Sequence, residues 1–317
     1  MKSSIKTTFL NKVEAKGGFK SYHAHFDKSH ILQHFNLSEA MCDMQNKWYE
    51  YRKFKQNYTY EDLYQRMNRC IEDQYTQGSS YTRTFVDCDS LVGQLPINVA
   101  LDLKKKWKGK VNLDVAIQPL EGVLGDSQEE YVKACHKSDI IGGLPSRDHE
   151  KEDDHLDFIM QLAKSLNKKV DVHIDQANAP YEKETEQLAR HTIKHGLEGK
   201  VYGVHAISLS CHPLEYQKEV CKMLKDAGIA IIICPSAALG MKQLQEYQAP
   251  IHNSIGPVEL FLENDIPVVL GIDNISDLFM PLVDGDLWFE CRLLMEATRI
   301  YDLDVMSDIA SGVLVKG

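Results

Sequence analysis

The chain has 317 residues, enough to bury one large core or two smaller ones. Its 43% hydrophobic and 26% charged content is that of an ordinary soluble globular protein. A formal net charge of -10 argues against a nucleic-acid partner, which needs clustered Lys and Arg, but leaves a small neutral or basic substrate open.

The N-terminal residues lack the apolar core of a signal peptide, and no apolar run reaches membrane-spanning length. The chain is therefore expected to have no membrane partner. Eight cysteines occur without a CxxC pair, the nearest two being Cys211 and Cys221, so neither a zinc ribbon nor a disulfide framework is expected. A reducing, cytoplasmic setting follows as the simplest expectation. Oligomeric state stays open, a homo-oligomer included.

Taken in chain order, short β-branched or apolar runs predict strands at Lys20–His25, Thr82–Asp87, Asn112–Ile117, Asp139–Gly142, Lys169–Ile174, Val201–Ala206, Ile229–Cys234 and Pro267–Ile272. Helical periodicity fills the gaps, as at Glu182–His195 and at His155–Leu166, where Leu156, Ile159, Met160 and Ala163 share a face. Asn253 and Ser254 read as a helix start, with Pro257 early in that helix. Eight strands alternating with helices predict an α/β chain folded as a (β/α)8 TIM barrel, a single domain over residues 1–317. No glycine-rich phosphate loop follows the first strand, which counts against a dinucleotide fold. The first strand-to-strand connection, residues 27–80, is the longest and is rich in Tyr and charge. It is either a solvated helical excursion or a lid over the barrel mouth.

Barrel enzymes take their catalytic groups from the C-terminal strand ends. Here those ends deliver His23 and His25 from the first strand, His173, Asp175 and Gln176 from the fifth, His205 from the sixth and Asp273 from the eighth. Alternate strand residues share a side, so His23 and His25 point together into the mouth. Two imidazoles, a third from the fifth strand and a carboxylate make an N3O set suited to one divalent metal, Zn(II) or Fe(II). One HxH among 13 His is a weak signal; His23, His25, His173, His205 and Asp273 together at four strand ends are a strong one.

The segments HAHFDK from His23, IGGLP from Ile141, HIDQ from His173, GVHA from Gly203 and GIDNISD from Gly271 occur in an order that resembles the amidohydrolase superfamily, in its cytosine deaminase-like branch. The resemblance implies that His23, His25, His173 and Asp273 hold the metal. It implies that His205 faces the metal-bound water and steadies the oxyanion, while Asp273 takes the water's proton. Binuclear relatives carry a lysine on the fourth strand; this strand ends in Ile141, Gly142 and Gly143, so a single metal is expected. The implied chemistry is attack of a metal-bound hydroxide on an sp2 carbon bonded to nitrogen, in a small cyclic or planar amide or amidine.

Two departures from the family pattern qualify this reading. Gln176 stands where the deaminase branch has a glutamate, and an amide cannot shuttle a proton. Either the reaction is a C–N hydrolysis in which Asp273 handles the proton, or the amide is an engineered replacement. A pyrimidine-base deaminase and a catalytically degenerate ligand-binding barrel stay as alternatives. About twenty residues precede the end of the first strand, too few for the N-terminal share of the family's usual β-sandwich. A bare barrel with a short N-terminal hairpin is therefore expected. Gln118, Gln176, Asp277 and Phe279 are the candidate substrate contacts, Phe279 as a stacking surface. Gln118 and Phe279 have equally simple readings as a strand-end polar residue and a core residue. Asp175 is expected to orient its neighbours, and Asp284 and Asp286 to be surface charge.

Overall fold

The structure, a computed structural model, describes residues 4–42, 44–244 and 246–315, with the backbone only for Gln45. Among these residues eight parallel strands pair in chain order: β1 (Phe19–Ser21), β2 (Ser79–Asp87), β3 (Asn112–Gln118), β4 (Ile140–Gly143), β5 (Lys169–Ile174), β6 (Val201–His205), β7 (Ala230–Ile233) and β8 (Val268–Leu270). The eight expected strands are all present, and the fold is the (β/α)8 barrel. Closure runs through the residues after β1: the Tyr22 amide donates to the Leu270 carbonyl, Ile272 to His23, and His25 to Asp273. The chain carrying His23 and His25 is thus held between β8 and β2, even though regular strand geometry ends at Ser21.

Alternation divides the apolar residues into two cores. Val170, Val172 and Ile174 of β5 face outward and pack with Leu156, Ile159, Met160 and Ala163 of helix Glu152–Leu166. The inward side chains form the barrel interior. Phe85, Ala116 and Ile140 make one cluster, and Tyr22, Tyr202, Val204, Ala230, Ile232 and Val269 another. A buried ion pair crosses the interior, Arg83 Nη1 to Asp171 Oδ2 at 2.7 Å, with the guanidinium over the Tyr202 ring. Gly142 of β4 is required there: a Cβ would lie 1.9 Å from the Ile117 carbonyl oxygen and 2.6 Å from the Phe85 ring.

Two local expectations are corrected. The N-terminus forms a helix, Ile5–Ala15, not a hairpin; Phe9 and Val13 bury one side, and Ser4 accepts the Thr7 amide as its cap. Asn253 and Ser254 do not start a helix. Asn253 donates to the Ala297 carbonyl, Ser254 accepts from Asn178, and the helix begins at Val258 after Pro257. The long first connection carries two α-helices, Met44–Lys55 and Tyr60–Thr76, and no described helix is long and apolar enough to cross a membrane.

Candidate active site

At the C-terminal ends of the strands, His23, His25 and His173 bring their ring nitrogens within 4.8 Å of one another, all three residues being buried. Asp273 joins them through Oδ1, 3.6 Å from His23 Nε2 and 3.3 Å from His25 Nε2. His25 Nε2 and His173 Nε2 stand 3.2 Å apart. His173 Nδ1 lies 3.2 Å from the Gly143 carbonyl oxygen, which fixes the N–H on that side and leaves Nε2 as a lone pair facing the cluster. His205 approaches from β6, with Nε2 3.8 Å from Asp273 Oδ2.

Each ring is held by a specific neighbour. Phe85 stands against His23 and His173 at 4.8 Å between ring centres, in the space that Gly142 leaves open. Gly271 backs His23: a Cβ there would lie 2.7 Å from both the His23 Cβ and the Cys234 sulfur. His205, Ala206 and Asp273 have φ of +79°, +50° and +69°, a region costly for side-chain-bearing residues and typical of functional strand ends.

Electrostatics favour neutral His25, His173 and His205 around one carboxylate. Burial, aided by the Lys28 ammonium and the neighbouring histidines, holds His25 well below the usual range. Burial lowers His173 in the same way, with His23 and His205 adding to the fall. His205 is pushed down to about 4 by burial, against the opposing pull of Asp273. Burial favours neutral Asp273, but the adjacent His23 and His205 outweigh it and keep the carboxyl below its ordinary value.

This donor set fits one divalent cation. Both nitrogens of His23, Nδ1 of His25 and Nδ1 of His205 are buried without a hydrogen-bond partner. Tetrahedral Zn–N bonds of about 2.0–2.1 Å place neighbouring ligand atoms about 3.3 Å apart, close to the separations seen here. Converging lone pairs without donors between them repel unless a cation sits among them.

The other predicted residues divide. Gln118, at the end of β3, is buried, and its Oε1 lacks a partner. Gln176 is half-buried three residues beyond His173. Asp277 is fully buried: Oδ2 accepts from Asn274, and Oδ1 accepts the Phe279 and Met280 amides. Both of its oxygens are taken up by the turn. Phe279 is partly buried and meets Tyr51 edge-on at 5.7 Å. Asp175 caps helix Glu184–His195, accepting the Glu184 amide and the Thr185 hydroxyl. Asp286 caps helix Leu287–Thr298 through the Phe289 amide.

Sequence reasoning missed a buried charge network beside the histidines. Lys28 donates to Asp87 at 2.6 Å; Lys55, from the long first connection, reaches Asp87 and Asp89 and lies 3.5 Å from Glu121. Tyr51 covers both ammonium groups, 5.2 and 5.7 Å from the ring centre. Lys28 could have been found from its place three residues after His25. Lys55 carries no local signal. Cys234, beside His23 and Asp273, was also missed; burial raises its thiol well above the usual range.

No family model matches the chain. An uncharacterized protein of Haemophilus influenzae is 32% identical over 261 residues, covering 81% of this chain and 94% of that protein. N-isopropylammelide isopropyl amidohydrolase of Pseudomonas sp. (strain ADP) is 26% identical over 305 residues, covering 90% of this chain and 71% of the relative. Among solved structures, 5-methylcytosine deaminase of Klebsiella pneumoniae liganded with 5-fluorocytosine superposes with a TM-score of 0.85 at 21% identity. The match covers 94% of this chain and 74% of that one.

Proposed function

The chain belongs to the amidohydrolase superfamily, and we propose that it hydrolyses a non-peptide C–N bond of a small cyclic or planar amide or amidine. In this reading His23, His25, His173 and Asp273 hold one divalent cation, Zn(II) or Fe(II). The observation that carries it is the convergence of three buried imidazoles and one buried carboxylate at the strand ends, with lone pairs facing one another. When bound, such a cation supplies Lewis-acid polarisation and lowers the pKa of water to about 7.

The chain's own residues supply the rest. Asp273, ionised at neutral pH, accepts the proton of the attacking water and is placed to return it to the departing nitrogen. His205, neutral at that pH, donates an N–H to the oxygen on which charge develops. Gln118 presents its unpartnered Oε1 to a substrate N–H, and the Gln176 amide binds the same planar edge as donor and acceptor without titrating. Phe279 supplies an apolar wall, positioned by the turn that Asp277 holds together. The helix Met44–Lys55 acts as a cover on the mouth, pinned by Lys55.

The Pseudomonas relative is named as an isopropyl amidohydrolase of N-isopropylammelide. A substituted-amine leaving group on a planar ring is therefore one substrate class for this site, and loss of ammonia from a pyrimidine-like base is the second. The test is a panel of cyclic ureides, N-alkylamino triazines and aminated heterocycles offered to Zn(II)- and Fe(II)-loaded protein. Amine, ammonia and ring opening are followed separately. Turnover of one class, lost on chelation and regained on metal addition, is expected. Binding without turnover across the panel by metal-loaded protein would favour a ligand-binding barrel instead.

A further inference from the structure

On the outside of the barrel two adjacent helices turn metal-type side chains toward each other. Asp153 and Asp157 lie four residues apart on helix Glu152–Leu166, and His191 and His195 four apart on helix Glu184–His195, so each pair shares one helix face. His191 Nδ1 is 2.8 Å from Asp157 Oδ1, His191 Nε2 is 2.8 Å from Asp153 Oδ1, and His195 Nε2 is 2.7 Å from Asp157 Oδ1. His191 is buried, and Asp157 and His195 are partly so.

His191 faces a carboxylate oxygen at both ring nitrogens. A neutral imidazole has only one N–H, so it can satisfy one of these contacts and sets a lone pair against the other oxygen. His195 adds a third nitrogen to the same Asp157 oxygen. One His191 lone pair therefore faces a carboxylate oxygen with nothing between them, and either a proton or a metal cation fills that position. The Lys194 ammonium reaches both oxygens of Asp157, 2.8 Å from Oδ1 and 2.7 Å from Oδ2, with its side chain more than half exposed. Arg190 is directed to Glu186, 3.6 Å away.

We propose that Asp157, His191 and His195 form a second divalent-cation site of the Zn(II) class, bridging these two helices, with Asp153 accepting the His191 Nε2–H and so aiming Nδ1 at the cation. Two nitrogens and a carboxylate suit a borderline cation that keeps solvent in its fourth position, and helical spacing fixes the imidazole pair without loop ordering. Ligand atoms around Zn(II) stand about 3.3 Å apart. The present contacts need to open by only about 0.5 Å, and Lys194 can swing into solvent to release Asp157. The site is independent of the strand-end cluster, and the proposal does not rest on the reaction assigned there.

The test uses full-length protein stripped of metal, equilibrated with micromolar Zn(II) alone and analysed for zinc per chain. The parent is expected to bind two equivalents, and H191A/H195A one, with an unchanged far-ultraviolet circular dichroism spectrum. H23A/H25A is also expected to bind one equivalent, and the four-fold variant none. K194A, which removes a competing charge about 4 Å away, is expected to tighten the outer site about fivefold. If H191A/H195A binds as much zinc as the parent, a proton alone bridges these groups and the proposal fails. Weaker zinc binding by K194A contradicts it equally.

Discussion

Gly271→Ala tests whether the metal-type histidines are held by backbone packing. The new Cβ would fall 2.7 Å from the His23 Cβ, 2.7 Å from the Cys234 sulfur and 3.0 Å from Ile232 Cγ2. Carbon atoms in contact prefer about 3.5–4.0 Å, so the shortfall against His23 is about 0.8 Å. His23 and Ile232 are fully buried and cannot yield into solvent. Overpacking of this kind costs about 1–3 kcal/mol, read as a lower free energy of unfolding in urea. A displacement of that size exceeds the roughly 0.2 Å tolerance of metal–ligand distances, so Zn(II) affinity should fall about 10- to 100-fold. Competition with a chromophoric chelator measures it. Gly240→Ala is the control, because nothing lies within 4 Å of its added Cβ. If G271A and G240A bind Zn(II) equally well, the packing account of His23 is wrong.

Lys55→Met leaves Asp89 buried without its cation, whereas Asp87 keeps Lys28. Breaking a buried pair costs about 3–5 kcal/mol, so the variant should be destabilised, with faster proteolysis within residues 44–55. A loss well below 1 kcal/mol would show the network to be solvated. His205→Asn should keep its metal while kcat falls about 100- to 1,000-fold; loss of metal would make His205 a ligand. Gln176→Glu should fold normally and add one further ionisation to the pH–rate profile of the parent. Burial and the neighbouring Asp175 raise Glu182 to about 8, and its Oε2 accepts from Ser208 and Ala177. A carboxyl raised on folding adds stability below its unfolded pKa, and that stability is lost as pH rises through the folded value. Glu182→Gln keeps the acceptor and removes the charge, so denaturation midpoints should show it more stable than the parent at pH 9 and little changed at pH 5.

The barrel and its metal-type residues were legible because both are written locally. Strand runs such as Lys169–Ile174 alternate or are continuously apolar, and His23, His25, His173, His205 and Asp273 each stand at a run's end. What lay outside local pattern was not legible. Lys55 meets Asp87 and Asp89 across more than thirty residues of chain, and no spacing rule links them. The turn use of Asp277 depends on amides at Phe279 and Met280 that a sequence cannot orient. The N-terminal helix was missed because Phe9 and Val13 bury only a narrow face, against Phe19 and Trp288 for Phe9. The Asp157, His191 and His195 cluster needs two helices to pack side by side, and each pair alone reads as surface charge.

The most direct measurement of the central claim is a crystal structure of the metal-loaded protein with anomalous data collected at the metal edge. The account predicts a peak about 2.0–2.2 Å from nitrogens of His23, His25 and His173 and from a carboxylate oxygen of Asp273. Loaded, folded protein with no peak among those four residues would contradict it.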